Sequence, residues 1–118
     1  MPAKLSTHVL DIARGCPARG VQIELWSLTG GTRKLLKTVR TNADGRTDEP
    51  LLAAGELQAG CYELVFYVGD YFAGEVPARP PGRFLDRVPV QFGIVDPTVS
   101  YHVPLLVSPW AYSTYRGS

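Results

Sequence analysis

The sequence predicts an all-β sandwich, and three observations carry that prediction. Apolar residues recur at every second position in short runs, never at helical spacing over a helical length. The runs are punctuated by turn formers, with 12 Gly and 10 Pro among 118 residues. A chain of this length fits one layered core, read here as a single domain over residues 1–118. Such a core buries roughly two-thirds of the unfolded surface without metal or disulfide staples.

Leu5–Asp11 opens the series as a strand, with Leu5, Thr7, Val9 and Asp11 on one face and Ser6, His8 and Leu10 on the other. Arg14, Gly15, Cys16 and Pro17 supply turn chemistry. Residues 21–26 alternate apolar against mostly polar, as a half-buried strand does, and Gly30-Gly31 ends them. Residues 35–41 form the third strand. Asn42-Ala43-Asp44-Gly45 then makes a tight turn in which the glycine adopts positive φ. Residues 46–52 read as a short strand completing a hairpin, kept out of a sheet interior by Pro50. Residues 61–68 are dominated by β-branched and aromatic side chains and bounded by Gly60 and Gly69. Residues 70–73 read as one helical turn, and residues 75–82, with three prolines, as a loop. Val88–Ile94, Tyr101–Val107 and residues 111–116 complete eight strands. Pro89 and Pro104 lack a ladder donor, which assigns their strands to edge or terminal positions.

Composition excludes several partners. Twelve Lys+Arg against eleven Asp+Glu leave a formal charge of +1 and no basic stripe to track a phosphate backbone, so nucleic acid is not expected. The longest apolar runs, such as residues 64–68, fall far short of the roughly 20 residues of a membrane span. Residues 1–10 carry no export signal. Cys16 and Cys61 lie far apart with no CxxC pattern. Reduced thiols in the cytoplasm are the expectation, with a disulfide the alternative. A eukaryotic source would add peroxisomes as a destination, although Arg116-Gly117-Ser118 is not a Ser-Lys-Leu address.

Both histidines, His8 and His102, fall within strands, one early and one late. On an antiparallel sheet these strands can be neighbours, which would bring together two imidazoles suited to moving protons near neutral pH. A strand histidine serves equally as a surface or hydrogen-bonded core residue, and two histidines without a third ligand are not a metal signature. Arg46, at the root of the hairpin turn, presents a planar fork of donors suited to a carbonyl-rich or anionic ligand; a solvated strand-end arginine is the plainer reading. The tail, Tyr115-Arg116-Gly117-Ser118, keeps strand-forming character to its end, where termini commonly fray. It reads either as a docked terminus or as an edge strand pairing with another subunit. No Gly-rich phosphate loop or GxSxG elbow is present.

Four blocks in order resemble the transthyretin-like family, and within it the 5-hydroxyisourate hydrolases. They are Leu5-Ser6-Thr7-His8-Val9-Leu10-Asp11 with Gly15-Cys16-Pro17-Ala18, then Thr41-Asn42-Ala43-Asp44-Gly45-Arg46-Thr47, then Tyr101-His102-Val103-Pro104-Leu105-Leu106, and finally Tyr115-Arg116-Gly117-Ser118. The likeness covers nearly the whole chain and is weakest over residues 77–87. It implies an eight-stranded sandwich with one short helix, assembled as a homotetramer (a dimer of dimers) with active sites in a channel between dimers. It implies His8, Arg46, His102 and Ser118 as catalytic residues, with His8, Arg46 and Tyr115 also binding substrate. The implied reaction is metal-free and cofactor-free hydrolysis of 5-hydroxyisourate to 2-oxo-4-hydroxy-4-carboxy-5-ureidoimidazoline in urate breakdown. His102 is the expected proton acceptor and His8 the orienting or donating partner. Carriers of the same fold lack the polar channel groups and the tail; a non-catalytic carrier of a small aromatic ligand is the alternative.

Overall fold

The computed structural model describes residues 3–73 and 83–117. Among them, eight strands make two four-stranded sheets, so the predicted all-β sandwich is the observed fold. The strands are β1 (Leu5–Asp11), β2 (Cys16–Pro17), β3 (Gln22–Ser27), β4 (Lys34–Arg40), β5 (Gly60–Phe66), β6 (Val88–Ile94), β7 (Tyr101–Val107) and β8 (Tyr112–Thr114). One helical turn, α1 (Val68–Tyr71), follows β5. The first sheet is ordered β2-β1-β7-β8 and the second β4-β3-β5-β6. No described helix is long and apolar enough to cross a membrane. Cys16 and Cys61 are free and exposed.

Period-two alternation builds the core. In β1, Leu5, Thr7, Val9 and Asp11 are buried while Ser6, His8 and Leu10 are half-buried on the outer face. Leu5, Val9, Leu105 and Val107 of the first sheet and Ile23, Leu25, Leu64, Phe66 and Val88 of the second join one apolar cluster. Each such side chain contributes about 1.5–3 kcal/mol of burial. The polar groups that β1 buries are satisfied: Thr7 donates to the Val103 carbonyl at 2.7 Å. Asp11 Oδ1 accepts the N–H groups of Ala13 and Arg14, and Oδ2 accepts the Tyr71 hydroxyl at 2.8 Å. Burial first, and then that carboxylate, pushes the Tyr71 hydroxyl up to about 12. The end of β1 is thereby fixed to α1.

Four local readings are corrected. Residues 46–52 are not a strand: the Thr47 hydroxyl turns back to the Glu49 carbonyl and Pro50 offers no N–H, so the segment meets β1 at its end, in an isolated bridge of Leu52 with Leu5. The eighth strand is instead the two-residue β2, within the segment assigned to a turn. The helical turn begins at Val68, two residues early, because Val68 and Phe72 bury the same face and the Phe72 N–H closes on the Val68 carbonyl. Pro89 does lie on an edge strand, β6, but Pro104 lies in β7, which has neighbours on both sides. Backbone groups of alternate residues face the same side of a strand, and the His102 carbonyl faces the tail, where it accepts the Gly117 N–H. Pro104 faces that side too, beyond the Leu105–Thr114 end of the β7–β8 ladder, and the Thr114 hydroxyl bonds its carbonyl. The loop assigned to residues 75–82 lies outside the described residues.

The first and seventh strands are neighbours as expected, but parallel rather than antiparallel, in register from Leu5↔Tyr101 to Asp11↔Val107. The other edge of β1 is closed piecemeal. Leu5 bonds Leu51 and Leu52, Val9 bonds Gly45 and Ala18, and Leu10 and Asp11 pair with β2.

Candidate active site

The β1–β7 register sets the site. Ser6 stands opposite His102 and His8 opposite Pro104, so the two histidines are diagonal neighbours on the outer face of the sheet. His102 is held on three sides. Its Nδ1 lies 2.8 Å from Ser6 Oγ, and its carbonyl accepts the Gly117 N–H at 2.7 Å. Gly117 packs against the ring so closely that a Cβ there would stand 2.6 Å from Cδ2. Burial first, then the charges of Arg46 and His8, hold the His102 imidazole below its ordinary pKa. Both effects favour the neutral ring, the form able to accept a proton.

His8 is committed differently. Its Nε2 lies 2.8 Å from the Asp44 carbonyl oxygen. A carbonyl only accepts, so Nε2 carries the proton and is not a free base.

That carbonyl belongs to the Asn42–Gly45 turn, which also delivers Arg46. Asn42 Oδ1 accepts the N–H groups of Asp44 and Arg46, and the Asn42 N–H donates to the Arg46 carbonyl at 2.7 Å. Gly45 pins the turn to β1: its carbonyl accepts the Val9 N–H at 2.8 Å, and a Cβ on it would stand 2.4 Å from the Val9 oxygen. Its φ of +75° adds a second reason for glycine. Gly45→Ala should lower stability in urea unfolding by about 2–4 kcal/mol, from a left-handed backbone plus a forced shift against β1. A loss below half a kilocalorie would show that the turn is not clamped.

Arg46 and His102, with Lys4, Ser6, Ser100 and Tyr101, line a cleft of about 340 Å³. Lys4 and Arg46 offer only donors and positive charge; His102 offers a lone pair. The cleft can therefore bind a carbonyl-rich or anionic molecule and remove a proton beside it. The structure thus brings together Arg46 and His102 of the predicted set, with His8 adjacent. Sequence reasoning missed Lys4, Ser6 and Ser100; Ser6 alone carried a signal, since it shares the outer face with His8.

The tail divides. Gly117 is docked on His102, and the Arg116 guanidinium lies 4.5 Å from the Tyr101 ring centroid. Tyr115 is not brought to the cleft of its own chain. It is 60% exposed and lines a separate pocket with Phe92, Tyr101, Val103 and Thr114, of which Tyr101 and Val103 point inward, away from the His102 face. Ser118 lies outside the described residues.

Comparison with known proteins follows the same pattern. Residues 5–117 match the HIUase/Transthyretin family. The chain is 57% identical over 115 residues to a 5-hydroxyisourate hydrolase of Mesorhizobium japonicum, covering 98% of this chain and 92% of that one. The crystal structure of (S)-allantoin synthase superposes with a TM-score of 0.89 at 45% identity; it covers 99% of this chain, which spans only 44% of that longer protein. A 5-hydroxyisourate hydrolase structure from Klebsiella pneumoniae has a TM-score of 0.77 at 38% identity, covering 98% and 94% of the two chains.

Proposed function

The chain belongs to the HIUase/transthyretin family, and from that premise we propose that it is an enzyme hydrolysing 5-hydroxyisourate to 2-oxo-4-hydroxy-4-carboxy-5-ureidoimidazoline in urate degradation. The observation that carries the reading is His102 sharing one cleft with Arg46, next to His8, in surroundings that favour its neutral form.

One water is consumed. Its oxygen attacks a carbonyl carbon of the six-membered ring while His102 Nε2 takes its proton. Arg46, with its fork of donors, binds the ring carbonyls and stabilises the negative charge that develops on the attacked oxygen. The carbon–nitrogen bond breaks and the leaving nitrogen takes up a proton, so the acid and base steps cancel. The proton that His102 took from water passes to the leaving nitrogen, either directly or relayed through the bare Nδ1 of His8, whose Nε2–H is held by the Asp44 carbonyl and which orients substrate. Tyr115 lines the substrate pocket, and Ser118 binds water or substrate through its hydroxyl or terminal carboxylate. An exposed Tyr115 turned from its own cleft supports a site completed across subunits of a homotetramer, a dimer of dimers. A carrier of small aromatic ligands calls for apolar walls, and Lys4, Arg46 and His102 are not such walls. We place the protein in the cytoplasm.

The test follows the ultraviolet decay of 5-hydroxyisourate generated in situ from urate. Micromolar protein should accelerate it; decay at the buffer rate overturns the reading. The pH profile checks the base. A lowered His102 pKa means that kcat/KM falls as pH drops through a value below 6.5, while the plateau extends through neutrality. Since Arg46 contributes to that lowering, Arg46→Gln should move the acid limb toward higher pH as well as reduce the rate. A limb that stays put would assign the titration to another group.

A further inference from the structure

We propose that Ser6 is a positioning residue for His102: its hydroxyl oxygen accepts the Nδ1–H of the imidazole and so holds the bare Nε2 in the cleft as the base. The inference rests on the hydrolase reading and adds to it a residue that reaches the reaction through another side chain.

The geometry begins with the register. Parallel pairing sets Ser6 directly opposite His102, with both side chains on the outer face. The hydroxyl comes to 2.8 Å from Nδ1. A neutral imidazole has one N–H, and the partner of one nitrogen decides which nitrogen carries it. A serine hydroxyl can donate or accept, so the surroundings choose the direction. Were it to donate to Nδ1, the ring would present Nε2–H to a cleft already lined by the donors Lys4 and Arg46, leaving no side-chain acceptor for the proton of water. His8 cannot substitute at Nε2, which is bound to the Asp44 carbonyl. With Ser6 accepting, its own proton stays free to donate into the cleft that it lines. Gly117 completes the mount: its backbone lies against the Cδ2 edge and blocks the ring from swinging away. The result is an imidazole fixed in both tautomer and direction, the two properties that determine how well a general base works.

Two measurements test this. Long-range proton–nitrogen spectra of the resting wild-type protein, above the acid limb, should show His102 Nδ1 protonated and Nε2 bare; the opposite assignment overturns the proposal. In Ser6→Ala the two nitrogens should move toward averaged values, and kcat should fall about 10- to 30-fold with KM nearly unchanged. Ser6→Thr, which keeps the hydroxyl, should recover most of the rate. A Ser6→Ala enzyme with wild-type kcat and an unchanged His102 spectrum overturns the proposal. So does a loss confined to KM, which would make Ser6 a substrate contact. The spectra need no substrate. A wild-type protein without turnover would therefore strike the hydrolase reading and leave the tautomer result standing.

Discussion

His102→Ala should lower kcat/KM by about 1,000-fold, or about 4 kcal/mol at 1.36 kcal/mol per decade. The size of the effect follows from the inventory of the cleft. Lys4 and Arg46 have no lone pair to offer as cations, and the Nε2 of His8 is occupied by the Asp44 carbonyl. Among the described residues, His102 is then the side chain left to take a proton from water, and its burial and the charges of Arg46 and His8 favour the unprotonated ring. The substitution should spare the fold. His102 is half-buried on the outer face, and the Gly117 hydrogen bond is made to its backbone carbonyl. KM should move little, since Arg46, the proposed binding group, is kept. Steady-state ultraviolet decay at neutral pH checks the prediction, and a loss of less than about tenfold would move proton removal to another group.

Deleting the last four residues should cost at least about 100-fold in rate, about 2.7 kcal/mol, with the circular dichroism spectrum retained. The β8 strand ends at Thr114, and neither Tyr115 nor Arg116 is buried, so the core keeps its members. What is lost is the mount of the base. Gly117 no longer flanks the His102 ring, Arg116 no longer lies over Tyr101, and the proposed roles of Tyr115 and Ser118 go with them. A truncated protein of normal activity would remove the tail from the mechanism.

The sequence made much of this legible, for a physical reason in each case. Alternation in Leu5–Asp11 separates a core face from the face that carries His8, because a strand has a period of two. The Asn42–Gly45 turn is readable because positive φ and Asx bonding favour few residue types. Long-range pairing left no local mark. That β1 and β7 are parallel depends on how the intervening chain crosses between sheets, and that pairing sets Ser6 against His102. Residues 46–52 look like a hairpin arm, yet the turn before them docks on β1 through Gly45 instead. The same limit hid Lys4 and Ser100, which are ordinary surface types until tertiary structure draws them into one cleft. The substrate role of Tyr115 came from resemblance alone, which says nothing of the side of the sheet it faces.

The piecemeal closure of β1 along Leu51, Leu52, Gly45, Ala18 and β2 has a consequence for misassembly. A seven-residue strand with a free margin is a template on which another copy can add in cross-β fashion. Here the margin is broken up by loop backbone, so no continuous row of amides and carbonyls awaits a foreign strand. Loosening the Gly45 clamp would therefore endanger more than the placement of Arg46: it would open the Val9 amide, one site of that margin, to a foreign strand.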